Sequence, residues 1–188
     1  MDIRIEEITT AQIPVIQELA DQVFMVTYRG IHSDEQNAYM MGLMYSTESL
    51  TRQMCEEGSR FLLVHVDGAP VGYCAFKPYS GDEHGEGPAG SVDTLPVVYL
   101  DKFYLIPGYQ GLGIGKKLMA EVILESRRLH PGGCIVRLDV NKSNRAKLFY
   151  ERQGFVKVRY WDAPIGQGFY MNGCTMDLRL EPDNRIEI

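Results

Sequence analysis

Tyr99-Leu100-Asp101-Lys102-Phe103-Tyr104-Leu105-Ile106-Pro107-Gly108-Tyr109-Gln110-Gly111-Leu112-Gly113-Ile114-Gly115-Lys116-Lys117-Leu118-Met119 is the stretch on which the fold turns. Leu95–Leu105 reads as a strand, Pro107-Gly108 ends it, and a glycine-rich loop leads into a helix over Gly113–Leu129. A strand that passes through such a loop into a helix turns several backbone N–H groups toward one concavity at the positive end of the helix dipole, which suits phosphate. Gly111, Gly113 and Gly115 have no Cβ to hold an anion off, and Lys116 and Lys117 add positive charge nearby. The Walker pattern G-x-x-x-x-G-K-[ST] fails, because position 110 is Gln and Lys117 stands where Ser or Thr holds magnesium. A dinucleotide G-x-G-x-x-G beginning at Gly111 fails at Lys116. On the loop alone, a turn built only for tight packing stays open.

Outward from this stretch, hydrophobic periodicity orders the rest. Ile3, Ile5 and Ile8 open a short strand, and Thr9-Thr10 cap a helix over about Ala11–Met25 whose apolar positions Ile13, Ile16, Leu19, Ala20, Val23 and Phe24 recur at threes and fours. Capping residues start two more helices, over 34–44 and from Ser46 to about Glu57, the latter stopped by Gly58. Arg60–Val66, the turn Asp67-Gly68 and Pro70–Phe76 form a hairpin. Residues 80–93 are rich in Gly and carboxylates and read as a mobile loop. In the 113–129 helix Ile114, Leu118, Val122 and Leu129 share a face with Met119 and Ile123, and Pro131-Gly132-Gly133 stops it. Cys134–Val140 is a strand, Ser143–Gln153 a helix, and Phe155–Tyr160 and Phe169–Leu180 two more strands. The order β-ααα-β-β-β-α-β-α-β-β predicts a mixed α/β (α+β) fold in one domain over residues 1–188. The helix between strands 95–105 and 134–140 predicts that they run parallel.

The 188 residues carry a net charge of −6 and are 45% hydrophobic, which fits a chain with a real core and excludes a mostly disordered one. The charge is unevenly spread. Residues 1–101 hold 5 basic and 16 acidic side chains, a net of −11, whereas residues 102–159 hold 12 basic and 4 acidic, a net of +8. The middle of the chain is thus suited to an anionic ligand and the first half to a cation. A broad nucleic-acid surface is disfavoured, since the basic segment lies on no recognisable nucleic-acid motif. Cys55, Cys74, Cys134 and Cys174 are far apart, with no C-x-x-C and no His at ligand spacing, so neither a metal site nor a disulfide framework is expected. Without a membrane-length apolar run or a leader pattern, the expected location is cytoplasmic, with no membrane partner.

A second stretch, Leu138-Asp139-Val140-Asn141-Lys142-Ser143-Asn144-Arg145-Ala146-Lys147-Leu148-Phe149-Tyr150-Glu151-Arg152-Gln153-Gly154-Phe155, joins the first. Gln110-Gly111-Leu112-Gly113-Ile114-Gly115 resembles the Q/R-x-x-G-x-G/A pyrophosphate loop of the GNAT (Gcn5-related) N-acetyltransferases, and the second stretch resembles their later strand–Asn–Ala-x-x-F/L-Tyr–Gly-Phe motif. One departure is visible: the family often places Asn seven residues before the Tyr, where this chain has Ser143, with Asn144 one later. The first half (Val23–Tyr28 and Tyr45–Leu50) looks, more loosely, like the bacterial spermidine/spermine acetyltransferase branch.

The resemblance implies a central twisted mixed sheet, flanked by helices, in which strands 4 and 5 splay apart, with acetyl-CoA as co-substrate and no metal. It implies pyrophosphate contacts from the amides of Gly111, Leu112, Gly113, Ile114 and Gly115, with Gln110 shaping the loop and Lys116 nearby. The backbone of Phe103, Tyr104 and Leu105 would meet the pantetheine as an added strand does, and Asn141, Asn144, Lys147 and Tyr150 complete the cofactor contacts. Tyr150 matches the family's general acid, a phenol that keeps its proton at neutral pH and gives it to the departing thiolate. Asp101 is the candidate base for the acceptor's ammonium, by way of water, and a backbone N–H near Leu105 the candidate oxyanion donor. A covalent route through Cys134 is the alternative to direct transfer.

In such a fold the acceptor is met by the segment after the first helix and by the last strands: here Tyr28, His32, Tyr39, Tyr99 and the loop Pro164–Tyr170, with Phe169 and Tyr170. Aromatic rings and carboxylates suit a small cationic, polyamine-like amine, though the same rings also serve as interhelix packing. Acetylation of protein N-termini or lysines, and acyl-CoA sensing without catalysis, remain the competing readings. A homodimer is a further expectation, because this family often pairs subunits through its C-terminal strands.

Overall fold

β4 (Val97–Leu105), the strand at the centre of the deciding stretch, joins the two compact units into which the chain divides: Met1–Lys77 with Leu100–Ala120, and Pro78–Tyr99 with Glu121–Ile188. The structure, a computed structural model, describes residues 1–79 and 95–182. The loop expected over 80–93 lies outside the described residues.

In the first unit β1 (Ile3–Glu7), β2 (Arg60–Val66), β3 (Ala69–Pro78) and β4 are neighbours in that order. β1 pairs antiparallel with β2, and β2 with β3. The β2–β3 turn is Asp67-Gly68, both in the left-handed region at φ 49° and 84°, the geometry that matches the twist of a two-residue hairpin. Three helices precede the hairpin: α1 (Ile13–Tyr28), α2 (Asp34–Tyr45) and α3 (Thr47–Cys55). Ser33 Oγ accepts from Gln36 N at 3.1 Å and Ser46 Oγ from Ser49 N at 3.2 Å, so α2 and α3 each open on a side-chain cap. Ile13, Ile16, Leu19, Ala20, Val23, Phe24 and Tyr28 form the buried face of α1. The helix runs past the expected end at Met25 because Tyr28, four residues beyond Phe24, extends that face, with the two ring centroids 4.5 Å apart. Gly30, at φ 77°, follows it.

In the second unit β4 lies beside β5 (Cys134–Asn141), then β7 (Phe169–Leu180), then β6 (Val156–Gly166). β4 and β5 run parallel, paired at Val97↔Ile135, Val98↔Val136 and Tyr99↔Arg137. By contrast, the whole of β5 pairs antiparallel with β7, from Cys134↔Leu180 to Asn141↔Gly173. Across that ladder Arg137 grips Asp177 with two bonds of 2.8 and 2.7 Å. The fold class is the expected mixed α/β.

Three local expectations are corrected. α5 spans Ala146–Arg152 rather than 143–153. Asn141 Oδ1 accepts from Ser143 N at 2.8 Å and Asn144 Oδ1 from Ala146 N at 2.9 Å, so side-chain-closed turns occupy what helical spacing assigned to a first turn. The stretch Pro164–Tyr170 is not a loop but the tip of a long β6–β7 hairpin, in which Pro164 pairs with Tyr170 and only Gln167-Gly168 turn, at φ 50° and 79°. In α4 (Ile114–Leu129) Ile114, Leu118, Met119 and Val122 are fully buried, but Leu129 is 45% exposed. Ser126 continues the buried face instead, its hydroxyl donating to Val122 O at 2.7 Å, while Leu129 is the last helical residue.

Candidate functional site

The glycine-rich loop belongs to the first unit. Ile106 N donates to Val71 O at 2.9 Å, and a Cβ on Gly72 would meet Tyr104 O at 2.4 Å. Both backbone groups therefore face β3, and strand alternation turns the amides of Phe103 and Leu105 the other way. After the short turn Pro107–Tyr109, Gln110 Nε2 donates back to Leu105 O at 3.0 Å and ties the loop to the end of β4. Gly111 and Gly113 hold φ 77° and 80°, and a Cβ on either would meet nothing within 4 Å. Their glycine requirement is one of backbone conformation, and the space beside them is open. α4 begins at Ile114, and Lys117 N is bonded to Gly113 O at 3.2 Å. The amides of Ile114, Gly115 and Lys116 precede that first intrahelical donor, the set a helix start offers to an anion. Gln110, Gly111, Leu112, Gly113, Ile114, Gly115 and Lys116 thus fit a pyrophosphate.

The same unit gathers several of the expected acceptor residues. Tyr28 and Tyr104 bring their hydroxyls within 3.3 Å, and the His32 ring stacks on Tyr28 at 5.1 Å. Tyr73 donates to Tyr45 at 2.8 Å, and its ring lies 5.6 Å from Tyr104. Burial pushes the phenols of Tyr28, Tyr45 and Tyr73 up, and the Asp101 charge adds to the push on each, so all three stay protonated at neutral pH. Burial moves His32 down, opposed by a hydrogen bond with Asn37. Tyr39 lies half-buried on α2. Asp101 pairs with Lys102, whose Nζ also donates to Gln53 Oε1 at 2.7 Å. Sequence reasoning did not single out Lys102 or Gln53.

In the second unit Tyr150 is buried on α5, edge-on to Phe149 at 5.5 Å and to Phe155 at 5.7 Å. Asn141 is buried, Asn144 Oδ1 closes the turn before α5 by accepting from Ala146 N, and Lys147 Nζ donates to the Lys142 carbonyl. Ser143, where the family motif often has Asn, is exposed. Tyr99 does not stand alone: its hydroxyl donates to Asp139 Oδ2 at 3.2 Å, while Trp161 Nε1 and Thr175 Oγ1 donate to Asp139 Oδ1 at 2.8 and 2.5 Å. Asp139, another residue the sequence did not single out, is the hub that ties β4, β5, β6 and β7 together. Beside it Trp161 opposes Gly173, where a Cβ would lie 2.2 Å from the indole. Phe169 and Tyr170 begin β7 at the hairpin tip, with Tyr170 65% exposed. Cys134 is fully buried, its Sγ donating to Ser126 O at 3.7 Å, and burial raises its thiol against the opposing charge of Arg127. A thiol held protonated there is a poor nucleophile. Among the described residues no group of His, Cys, Asp or Glu is arranged to hold a metal ion, and no helix is long and apolar enough to cross a membrane.

A family model described as an acetyltransferase (GNAT) domain matches residues 57–157, more than half of the chain. The [ribosomal protein bS18]-alanine N-acetyltransferase of Haemophilus influenzae is 33% identical over 66 residues, covering 33% of this chain and 44% of that enzyme. The chain therefore spans less than half the length of this curated relative. The fold is similar to that of PaiA N-acetyltransferase from Thermoplasma acidophilum, solved in complex with coenzyme A, at a TM-score of 0.69 and 22% identity over 96% of this chain and 100% of that one. It is also similar to YncA of Salmonella typhimurium, solved with its cofactor acetyl-CoA, at a TM-score of 0.60 and 22% identity over 96% and 95% of the two chains. The chain belongs to the GNAT acetyltransferase family.

Proposed function

We propose that the chain transfers the acetyl group of acetyl-CoA to a primary amine of a small, cationic, polyamine-like acceptor, directly and without an acetylated protein intermediate. The observation that carries the acceptor class is the first unit itself. There the half-buried His32 ring stacks on Tyr28, whose hydroxyl lies within 3.3 Å of that of Tyr104, in a unit that holds 12 acidic and 8 basic side chains. In this reading Gln110 fixes the loop whose amides, from Gly111 to Gly115, bind the pyrophosphate, with Lys116 alongside. The Phe103 and Leu105 amides, turned away from β3, pair with the pantetheine, and Tyr104, Asn141, Asn144 and Lys147 add contacts.

When bound, acetyl-CoA supplies an activated thioester carbonyl. Asp101 takes one proton from the acceptor's ammonium and passes it to solvent, leaving a neutral amine. The Leu105 N–H stabilises negative charge on the carbonyl oxygen as the N–C bond forms. Tyr150 gives its phenolic proton to the sulfur as the C–S bond breaks, and the second proton lost by the nitrogen restores the phenol. The products are the acetamide, coenzyme A and one released proton. This reading takes residues 1–188 as one domain, supported by a family match that runs through both units, and places the enzyme in the cytoplasm.

The second reading is acetylation of a protein N-terminus, favoured by the likeness to the ribosomal-protein alanine acetyltransferase. Coenzyme A release measured over spermidine, spermine, amino acids, aminoglycosides and an alanine-initiated peptide separates the two. Turnover of polyamines supports the first reading. Turnover confined to the peptide overturns it, and ping-pong kinetics would overturn direct transfer.

A further inference from the structure

Lys102 is a lysine that the proposed chemistry does not use, and it is buried more deeply than a lysine normally is. Its side chain is 4% exposed, against 29% for its neighbour Asp101. Burying an ammonium is costly unless every donor is matched. Here the match is complete in kind: Nζ donates to Asp101 Oδ2 and, at 2.7 Å, to Gln53 Oε1, and lies 5.5 Å from the ring centre of Tyr45 and 5.9 Å from that of Phe61. Gln53 is itself fixed, its Nε2 donating to Met44 O and Ser49 Oγ at 3.0 Å each. A rigid line therefore runs from the end of α2, through α3 and the Lys102 ammonium, to one oxygen of the Asp101 carboxylate.

We propose that Lys102, anchored by Gln53, is a positioning residue for the reaction: it pins Asp101 Oδ2 and so leaves Oδ1 aimed and available to receive the acceptor's proton. At 4% exposure Lys102 has no surface to offer a substrate, so its influence on turnover passes through Asp101. A hydrophobic side chain of similar length would fill the same space between the Tyr45 and Phe61 rings at no loss of packing. The ammonium thus answers a need other than burial. A second consequence follows from charge. The Asp101–Lys102 pair is neutral, so a cationic acceptor is drawn by the aromatic faces and the wider acidic field, not by an ionic bond to Asp101.

This inference rests on Asp101 being the base, and a double-mutant cycle keeps the two apart. Coenzyme A release is followed with acetyl-CoA and whichever of spermidine and an alanine-initiated peptide reacts faster. Lys102→Met is expected to lower kcat at least tenfold with the KM for acetyl-CoA unchanged, and Lys102→Arg, which keeps the charge, to recover part of the loss. In an Asp101→Asn background Lys102→Met is expected to cost nothing further, because what it positions is gone. Additive losses in the double variant overturn the positioning role while leaving Asp101 as the base. An Asp101→Asn variant with full turnover overturns the base assignment and this inference with it. Should Lys102→Met fail to fold, Gln53→Leu, which removes the anchor, takes its place in the same cycle with the same expected non-additivity.

Discussion

Tyr150 and Gly113 carry the sharpest expectations of any single positions. Replacing Tyr150 with Phe keeps the buried ring and its edge contacts with Phe149 and Phe155 but removes the phenolic proton. Turnover is expected to fall by roughly a hundredfold or more, the contribution of a positioned acid, with acetyl-CoA affinity nearly intact. An undiminished rate removes Tyr150 from the chemistry. Gly113→Glu meets two obstacles. The position sits at φ 80°, which costs a residue with a Cβ about 1–2 kcal/mol, and it would set a carboxylate in the anion cradle. Calorimetry should then find acetyl-CoA binding weakened about tenfold or more; unchanged affinity rejects the loop assignment. The loop was legible in the sequence because its glycines and Gln110 stand at fixed spacing in one segment. Lys102, Gln53 and Asp139 were not, because the Lys102–Gln53 bond spans 49 positions and the Asp139 partners stand 22 to 40 positions away, and no local pattern announces such a meeting.

Elements were read well where a period or a cap wrote them. α2 and α3 open on the serines that the spacing indicated, and the Asp67-Gly68 turn is where a two-residue hairpin needs it. Reading failed where side chains compete with the backbone: Asn141 and Asn144 close turns that delay α5, and at the β6–β7 tip Pro164, Gly166 and Gly168 suggested a loop although pairing continues to the turn. That hairpin depends on Gly173, whose added Cβ would lie 2.2 Å from Trp161. Gly173→Ala is therefore expected to lower stability by about 1–3 kcal/mol and to push the indole off Asp139. Trp161 is the single tryptophan of the chain, so its emission maximum reads that displacement directly. An unchanged spectrum would contradict the packing of β6 on β7. In the first unit, Lys77 Nζ joins β3 to Glu57 at 2.9 Å, and that bond, more than the nearby Arg52, holds the Glu57 carboxyl below its ordinary value. A carboxylate lowered by folding stabilises above its unfolded value, and the benefit is lost as pH falls through the lowered one. The melting temperature should accordingly drop between about pH 5 and pH 3 more steeply in the native chain than in Glu57→Gln. Parallel curves would show that the pair adds nothing.

At the scale of the whole molecule the net charge of −6 conceals two opposed fields, −11 over residues 1–101 and +8 over residues 102–159. The proposed reaction brings together an anion, coenzyme A, and a cation, and each meets the segment of opposite sign. Long-range attraction of this kind is screened by salt: the Debye length is about 10 Å at 0.1 M and about 3 Å at 1 M. Contacts buried within the fold, such as Arg137 with Asp177, are screened far less. Raising salt over that range should therefore raise the KM for acetyl-CoA several-fold, about as expected for steered association, while the melting temperature moves little. The acceptor side gives the independent half of the test. Because Lys102 neutralises Asp101, whatever salt dependence a polyamine shows must come from the wider acidic field rather than from one ion pair. The KM for spermidine should rise with salt, and that for an acceptor with a single amine should rise less, in keeping with its smaller charge. If both acceptors respond alike, the field of the first half does not steer the acceptor, and the cationic reading of the substrate loses its electrostatic support.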